Sequence, residues 1–390
     1  MNTPTPIYLD YQSTTPVDPR VREAMLPALT EWFGNPSSSQ HPYGWTAREA
    51  VAQARERVAQ LIHADAAEII FTSCATESNN LALKGVAESF AMKGDHVIVS
   101  AIEHASVLET VRRMERQGKR VTVIGVDLLG RVDPENVRAA LTPRTVIVSI
   151  MHASNEIGTI QDIDAIGGIC HAAGVLLHCD AAQSASKIPV DVHAMQVDLL
   201  SLSAHKMYGP KGVGALFIRA MKPRLRLAPL LDGGGQEDGL RSGTLNVPGI
   251  VGFGAAAAIA RDELGDSPFR IARLRDALQG GIETGCSGVA VNGDPTRRLP
   301  DNLSVRFEGI PAASLLRALR GLAVSSGSAC SSESGETSHV LAAIGLEKDA
   351  AASTLRISLG RMTSPGDVET ATKAVESAVR EVRARLHGGE

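Results

Sequence analysis

The sequence lacks the features that mark membrane, secreted and nucleic-acid-binding proteins. Its longest apolar stretch, around residues 250–260, is shorter than the ~20 residues that a membrane-spanning helix needs. Its five cysteines are an odd number at irregular spacings, and no signal peptide precedes Tyr8, so we expect reduced thiols. A net charge of -4 gives no reason to expect a nucleic acid or an anionic membrane as partner. These absences predict a cytoplasmic protein.

Metal-ligand spacing is also missing. The pairs Cys170-His171 and His178-Cys179 match no zinc pattern, and a helix and a strand would have to converge to bring them together. We therefore predict no metal site, and we interpret Cys179 as a buried strand residue.

What the sequence does contain is the pattern of a large α/β enzyme. The chain has 390 residues, 44% hydrophobic and 21% charged, which is ordinary for a soluble globular enzyme. Between about residues 50 and 220, short β-rich runs alternate with helical patterns, which indicates crossover units and a mainly parallel sheet. The seven predicted strands are 68–72, 96–100, 120–126, 145–150, 175–179, 198–202 and 213–219.

Beyond residue 240 the pattern changes to that of a smaller α+β domain. The elements predicted there are helices 247–263 and 269–282, strands near 289–292, 302–307 and 354–359, and helix 365–387. We predict a large domain over 16–260 and a small domain formed by 1–15 and 261–390. The Gly- and Ser-rich pieces 233–243 and 325–338 are interpreted as local loops rather than domain linkers.

Lys206 closes the segment Ser203-Ala204-His205-Lys206, directly after the apolar run 197–202. An amine at the end of a buried strand is partly desolvated, which lowers its pKa and makes it a carbonyl nucleophile at neutral pH. This is the chemistry of a Schiff-base lysine. The simpler alternative is a solvated surface charge.

Asp180 ends the apolar run that begins at Val175, and Gln183 follows shortly after it. Ligands of parallel sheets bind outside the carboxyl ends of the strands, so Asp180 and Lys206 would face one crevice. Pyridoxal phosphate needs this pair, because the lysine holds its aldehyde carbon and the carboxylate keeps its ring nitrogen protonated. The alternative is that Asp180 only caps the following helix.

A turn of small residues, 73–76, leads from strand 68–72 into a helix that we expect to begin near Glu77. The free backbone N–H groups of such a turn, Ala75 included, and the positive end of the helix suit a phosphate, and Thr76 adds a hydroxyl. Alternatively, Thr76 is only the N-cap of the helix. Further groups that can complete a phosphate site are Ser203, His205 and, on the glycine-rich loop, Thr244.

His104 and Asn155 follow two other strands of the predicted sheet. An imidazole at this edge can stack on a cofactor ring and exchange a proton with it, or it can simply begin a helix. The Asn155 amide lies within reach of the same crevice, where it can bond a phenolic oxygen or only organise its own turn.

Cys330 lies in the segment 325–336, which has almost nothing apolar to bury, so we expect it to be exposed and mobile. Free cysteines are usually buried. An exposed thiol on such a segment suits a nucleophile that reaches a deep cofactor and then swings out. The alternative is an incidental surface thiol.

Arg356 alternates with apolar neighbours in the predicted strand 354–359. A guanidinium fork there can clamp a substrate carboxylate through two parallel hydrogen bonds. An isolated strand arginine is more often solvated.

Together these segments resemble the cysteine desulfurases of the nitrogen-fixation and iron–sulfur-cluster type, in the class V branch of fold-type-I pyridoxal-phosphate enzymes. The likeness runs from Tyr8 to about Arg361. The motifs that carry it are Phe33-Gly34-Asn35-Pro36-Ser37, 72–79, Asn155-Glu156-Ile157-Gly158, Asp180-Ala181-Ala182-Gln183, 203–214, 233–244 and 325–332. Cys74 and Ala204 stand where relatives often have glycine, and neither change removes a functional group.

The resemblance implies a role for each matching position. Lys206 would carry the cofactor, Asp180 would pair with its pyridine nitrogen, His104 would stack on its ring, and Cys330 would accept sulfur. The other implied contacts are Asn155 and Gln183 at the phenolic oxygen, Ala75, Thr76, Ser203 and His205 at the phosphate, Thr244 from the partner subunit of a homodimer, and Asn155 and Arg356 at the substrate.

The implied activity is the conversion of L-cysteine into L-alanine, with the sulfur transferred to Cys330 as a persulfide. A sulfur-acceptor protein, either an iron–sulfur scaffold or another carrier, would take it from there. The alternatives within enzymes are a class V aminotransferase, which would need no Cys330 and would yield a keto acid, and a selenocysteine lyase. A non-catalytic sulfur carrier or scaffold partner that keeps this fold would bind no cofactor.

Overall fold

The computed structural model describes residues 5–221, 225–327 and 338–387. Its strands are β1 (Ile7–Tyr8), β2 (Ile69–Thr72), β3 (His96–Ser100), β4 (Arg120–Ile124), β5 (Thr145–Ser149), β6 (Leu176–Asp180), β7 (Leu199–Ser203), β8 (Gly214–Ile218), β9 (Val289–Val291), β10 (Asn302–Phe307), β11 (Leu322–Ala323), β12 (Ser325–Ser326) and β13 (Thr354–Ser358). Its helices are α1 (Pro19–Thr30), α2 (Pro42–Leu61), α3 (Ala75–Ser89), α4 (Ala105–Arg116), α5 (Pro134–Ala140), α6 (Ile163–Ala173), α7 (Val247–Glu263), α8 (Ser267–Gly285), α9 (Ala312–Ala318), α10 (His339–Ala343), α11 (Lys348–Ala352) and α12 (Pro365–His387). None of the helices within these ranges combines the length and the apolar character that crossing a bilayer requires.

A seven-stranded sheet in the order β2-β8-β7-β6-β5-β3-β4 forms the base of the larger part of the molecule. Neighbours from β7 to β4 run parallel, whereas β8 is antiparallel to both β2 and β7. β2 therefore points the same way as β7, and the carboxyl ends of β2, β3, β5, β6 and β7 meet at one edge. The prediction of a mainly parallel α/β sheet is confirmed.

Helices cover both faces of this sheet because its central strands are buried on both sides. Every residue of β3, β5, β6, β7 and β8 is buried, as near-continuous Val/Ile/Leu runs in a parallel sheet require. Phe71 and Leu200 pack in one core with α2 and α7. Val97 and Leu199 pack in a second core with α3 and α4. The polar side chains at the strand ends thus stand on a rigid base.

A second sheet, β12-β13-β10-β9, is antiparallel and has its own core. Leu278 of α8, Phe307 of β10 and Val379 of α12 are buried together there. Leu9, beside β1, joins this core, so the start of the chain lies against the later residues. The division into domains at residues 15/16 and 260/261 stays a prediction.

The loop that we predicted over 325–338 begins later than expected. Ser325 and Ser326 form β12, which pairs with Arg356 and Leu355 of β13. The edge of β13 offers unpaired backbone groups, so even two polar residues join the sheet. Residues 328–337, with Cys330 among them, lie outside the described residues.

Candidate active site

A cavity of about 510 Å³ lies at the edge of the sheet where the parallel strands end. The predicted site residues that line it are Ala75, Thr76, His104, Asn155, Asp180, Gln183, Ser203, His205, Lys206 and Arg356. Side chains separated by hundreds of residues meet here because the carboxyl ends of parallel strands share one edge. The structure brings these residues to one place, and their individual roles stay predictions.

Lys206 follows β7 in a short 3₁₀ turn and is partly buried. Its Nζ donates to the backbone oxygens of Gln12, at 2.6 Å, and Ser13, at 2.8 Å. Burial lowers the pKa of this amine to about 7, and the nearby cations Lys187 and Arg356 add to the effect. A large fraction of the amine is therefore neutral near pH 7, which a solvated surface lysine would not be.

Asp180 is the last residue of β6 and is 7% exposed. Its Oδ2 accepts a hydrogen bond from Asn79 Nδ2 at 2.7 Å, and its Oδ1 accepts one from the backbone N–H of Ala182 at 3.0 Å. The second bond closes the turn after the strand, but no helix follows within the described residues between β6 and β7, so the alternative that Asp180 only caps a following helix was wrong. The same carboxylate nevertheless lines the cavity, so it is available to a ligand there.

The helix after β2 begins at Ala75 rather than near Glu77, so our predicted start was wrong. Cys74 is the N-cap residue, which places Thr76 inside the first turn and excludes it as the N-cap. The helix starts early because Glu77 reaches back and accepts the backbone N–H of Ser73 through Oε2 at 2.7 Å. The N–H groups of the first turn have no intrahelical acceptors and lie at the cavity.

Ser203 and His205 flank the same cavity from the end of β7. Ser203 Oγ is buried and has no hydrogen-bond partner among the described residues. Burial lowers the pKa of His205 to about 4, so its imidazole is neutral, and its Nδ1 lies 3.0 Å from Thr14 Oγ1. A buried hydroxyl without a partner is costly, and this one points to a ligand.

His104 caps α4 and lines the cavity at the same time. Its Nδ1 accepts the backbone N–H of Ser106 at 3.1 Å, so the ring proton is assigned to Nε2. Burial lowers the pKa of the imidazole, which keeps the ring neutral. The helix-start interpretation and the functional one are therefore compatible, because capping uses only one of the two nitrogens.

Asn79 connects the His104 end of the site to Asp180, a link that sequence reasoning missed. Its side chain is fully buried, and Nδ2 donates to Asp180 Oδ2 at 2.7 Å and to Ser106 Oγ at 2.9 Å. Helical spacing from the buried positions of α3 could have placed Asn79 on the inward face, but nothing in the sequence identified its partners.

Gln183 is 7% exposed, and hydrogen bonds hold both ends of its amide. Its Nε2 donates to the backbone oxygen of Gln12 at 2.9 Å, and its Oε1 accepts from Lys187 Nζ at 3.0 Å. Asn155 is partly buried, lines the same cavity and accepts a hydrogen bond from Arg356 through its backbone oxygen at 3.1 Å.

Arg356 is 2% exposed, which excludes the solvated alternative. Its Nη2 pairs with Asp10 Oδ1 at 2.9 Å and also donates to Ser13 Oγ. Its Nε is buried and has no partner within the described part of the chain. A fixed guanidinium with a spare N–H at a cavity wall suits an incoming carboxylate.

Two more ionisable groups of the cavity wall, Glu156 and His339, were not singled out from the sequence. Burial raises the pKa of Glu156 to about 7, and its Oε2 accepts from Ser338 Oγ at 2.5 Å. His339 Nε2 lies 2.9 Å from the backbone oxygen of Glu103. Residues 338 and 339 begin α10, and no sequence signal places this helix beside the sheet edge.

Two predicted site residues are not part of this cavity as the structure describes it. Thr244 is exposed and is absent from the described residues that line it. Cys330 lies outside the described residues.

The chain is similar to characterised proteins over nearly its whole length. The family model of aminotransferase class-V matches residues 7–370. A cysteine desulfurase IscS of Anaeromyxobacter sp. (strain Fw109-5) is 53% identical over 378 residues, which cover 97% of this chain and 93% of that protein. A cysteine desulfurase IscS of Neisseria meningitidis serogroup C is 51% identical over 383 residues, 98% of this chain and 94% of that protein.

Solved structures agree with these sequence matches. A NifS-like protein superimposes with a TM-score of 0.90 at 39% identity, over 96% of this chain and 100% of that chain. The structure of SspA in complex with cysteine gives a TM-score of 0.81 at 38% identity, over 90% of this chain and 98% of that chain.

Proposed function

Because the chain belongs to the aminotransferase class-V family and its relatives there include cysteine desulfurases, we propose that it is a pyridoxal-phosphate-dependent cysteine desulfurase. It converts L-cysteine into L-alanine and passes the sulfur to Cys330 as a persulfide. The observation that carries this proposal is that the amine of Lys206, with its lowered pKa, and the carboxylate of Asp180 line one cavity.

The residues of the cavity fit pyridoxal phosphate. The unpartnered Ser203 Oγ and the N–H groups at the start of α3, from Ala75 and Thr76, supply donors for the phosphate. Asp180 supplies the anion that a protonated ring nitrogen needs, and Lys206 supplies the amine for the aldehyde. When bound, the cofactor provides an acceptor for the electrons released at the substrate α-carbon.

Lys206 moves the α-proton of the substrate. The backbone oxygens of Gln12 and Ser13 accept the two hydrogens of its neutral amine, which leaves the lone pair free. An amine with a pKa of about 7 is a competent base near neutral pH, because little energy is spent on removing its own proton first.

Arg356 orients the substrate. Its Nε–H is free among the described contacts, while Asp10 holds Nη2 of the guanidinium at 2.9 Å. A substrate carboxylate bound by this group places the α-carbon in the cavity, where the Lys206 amine can reach the α-proton.

Cys330 accepts the sulfur. Its thiolate attacks the substrate sulfur, so that an S–S bond forms and the Cβ–S bond of the substrate breaks. The electron pair of the broken bond stays with carbon, which takes a proton and becomes the methyl group of alanine. Lys206, which carries the α-proton after removing it, is the cavity group that can supply this proton. Sulfur is oxidised and carbon reduced by the same electron pair, so no outside oxidant is needed.

The remaining parts of the proposal concern other protein chains. The exposed Thr244 completes the phosphate site of a second copy, so the active form is a homodimer. A sulfur-acceptor protein, either an iron–sulfur scaffold or another carrier, takes the persulfide sulfur from Cys330.

Replacing Cys330 with serine tests the proposed function. Cys330→Ser should abolish alanine and sulfide production from L-cysteine while keeping the absorption band of the bound cofactor. Cys286→Ala, at a thiol buried in the core of the second sheet, should keep both. Full desulfurase activity in Cys330→Ser would contradict the proposal. 3-Mercaptopyruvate in place of alanine from labelled cysteine would show an aminotransferase instead.

A further inference from the structure

Lys187 and Asp301 form a buried ion pair beside the candidate active site. Lys187 Nζ lies 2.7 Å from Asp301 Oδ2, and the two side chains are 12% and 3% exposed. Asp301 directly precedes β10 of the second sheet, whereas Lys187 follows β6 of the first. Taking two charges out of water is costly, so such a pair contributes little net stability and calls for another explanation.

Lys187 also fixes which way the amide of Gln183 faces. An ammonium group can only donate, so the Gln183 atom that lies 3.0 Å from Lys187 Nζ must be the carbonyl oxygen, Oε1. The NH₂ group of Gln183 is thereby turned toward the backbone oxygen of Gln12, at 2.9 Å. Lys206 Nζ donates to the same Gln12 oxygen at 2.6 Å. A continuous chain of hydrogen bonds therefore runs from Asp301 through Lys187, Gln183 and Gln12 to Lys206.

Lys187 acts on Lys206 through its charge as well. Both lysines and Asp301 line one small cavity of about 30 Å³ on the side of Lys206 away from most of the predicted site residues. The side chains of Lys187 and Asp301 are largely buried, so charges interact more strongly there than they would at the surface. After burial itself, Lys187 is the first cause of the lowered pKa of Lys206.

The other groups that face Lys206 do not replace Lys187 in this respect. Arg356 acts in the same direction, whereas Asp10 and Asp180 raise the pKa of the amine. The imidazoles of His104 and His205 are neutral near pH 7, because burial lowers the pKa of each. Tyr11 and Tyr208 in the small cavity stay uncharged, because burial raises the pKa of both.

We propose that Lys187, anchored by Asp301, is a positioning residue that presents the NH₂ group of Gln183 to the cofactor and keeps the amine of Lys206 ready to react. This inference rests on the proposed function and adds a part to it. Without Lys187, the Gln183 amide is free to turn its oxygen toward the cavity, where an anionic phenolic oxygen would be repelled. The amine of Lys206 would then also hold its proton to higher pH.

The effect on Lys206 can be measured without any cofactor. Competitive trace acetylation of the cofactor-free protein across a pH series, read by mass spectrometry at Lys206, gives the midpoint of its reactivity. Lys187→Met should raise this midpoint by about one pH unit. Lys187→Arg keeps the charge and should keep the midpoint, and so should Lys373→Met, which removes an exposed lysine from α12.

The effect on Gln183 is read in the protein loaded with pyridoxal phosphate. Lys187→Met should raise the pH midpoint of the cofactor absorption band by about one pH unit, since a donor to the phenolic oxygen is lost, and Lys187→Arg should restore it. The double variant Lys187→Met/Asp301→Leu replaces the pair by apolar groups and leaves no unpaired carboxylate if the single variant fails to fold. It should raise both midpoints in the same way.

An unchanged midpoint at Lys206, or an unchanged midpoint of the absorption band, in a folded protein without Lys187 would overturn the inference. The proposed function and the proposed role of Lys187 can be contradicted by different results. A wild-type protein that gains no absorption band with pyridoxal phosphate would contradict the proposed function, while acetylation of the cofactor-free protein would still report on Lys187 and Lys206.

Discussion

The two ends of the active-site cavity are built by different means. At the Asp180 end, which we call the neutral end, uncharged side chains surround a single carboxylate: Asn79 joins Asp180 to Ser106, and Ser106 joins His104. At the Lys206 end, charged groups and backbone oxygens come from segments far apart in the chain, as in the Arg356–Asp10 and Lys187–Asp301 pairs. In the proposed mechanism the first end holds the geometry of the site, whereas the second end, which we call the charged end, sets the protonation of the groups that react.

This difference predicts that changes at the charged end alter chemistry and pH dependence, whereas changes at the neutral end alter geometry and stability. The largest effect is expected at Lys206. Lys206→Ala removes both nucleophile and base, so kcat for alanine formation should fall by at least about 10⁴-fold. Lys373→Ala, on the exposed face of α12, should leave kcat unchanged. A Lys206→Ala protein with substantial turnover would remove the amine from the mechanism.

The next effect concerns stability at the charged end. Burial raises the pKa of Glu156 from 4.5 to about 7, so the folded protein holds a proton there that the unfolded chain has lost. The contribution of the Glu156 carboxyl to the free energy of unfolding is therefore fully present below about pH 4.5 and is lost as the pH rises through 7. Glu156→Gln keeps the shape and cannot ionise. The free energy of unfolding of wild type, relative to this variant, should therefore fall by up to about 3 kcal/mol between pH 4.5 and 8.5.

Denaturant unfolding at a series of pH values checks this expectation. Parallel curves for wild type and Glu156→Gln would show that Glu156 ionises as it does in water. Such a result would contradict the raised pKa of Glu156 and its neutral state in the folded protein.

The smallest effect is expected at the neutral end. Asn79→Ala removes two hydrogen bonds, at 2.7 and 2.9 Å, and should lower the free energy of unfolding by about 1–2 kcal/mol. Asn80→Ala is the matched control, because it also removes two hydrogen bonds, to Thr76 and from Thr110. Both variants should lose similar stability, but only Asn79→Ala should raise the dissociation constant for pyridoxal phosphate. Equal cofactor binding in the two would show that the Asp180 end needs no support from Asn79.

The positions of the residues at the strand ends were predictable from the sequence. Asp180 ends a buried strand and His104 and Lys206 follow two others, and the topology of a parallel sheet alone places the ends of such strands together. The start of α3 was misplaced because the carboxylate of Glu77 reaches back to the Ser73 backbone, a local contact that propensity does not encode.

The contacts at the charged end could not be predicted from the sequence and were found only in the structure. Gln12 lies 194 residues from Lys206, and no periodic pattern links the two. Lys187 and Asp301 look like ordinary surface charges in the sequence, because lysine and aspartate are seldom buried unless they are paired. Glu156 was noted only as part of a motif. Its pairing with Ser338 depends on how α10 returns to the sheet, which is a matter of tertiary packing.

The backbone oxygen of Gln12 accepts hydrogen bonds from both Lys206 and Gln183, so in the proposed mechanism the segment around Gln12, ahead of α1, supports the reacting amine. A truncation that removes Gln12 and Ser13 takes away both backbone acceptors of the reacting amine. Kinetic work therefore calls for protein that retains these two residues.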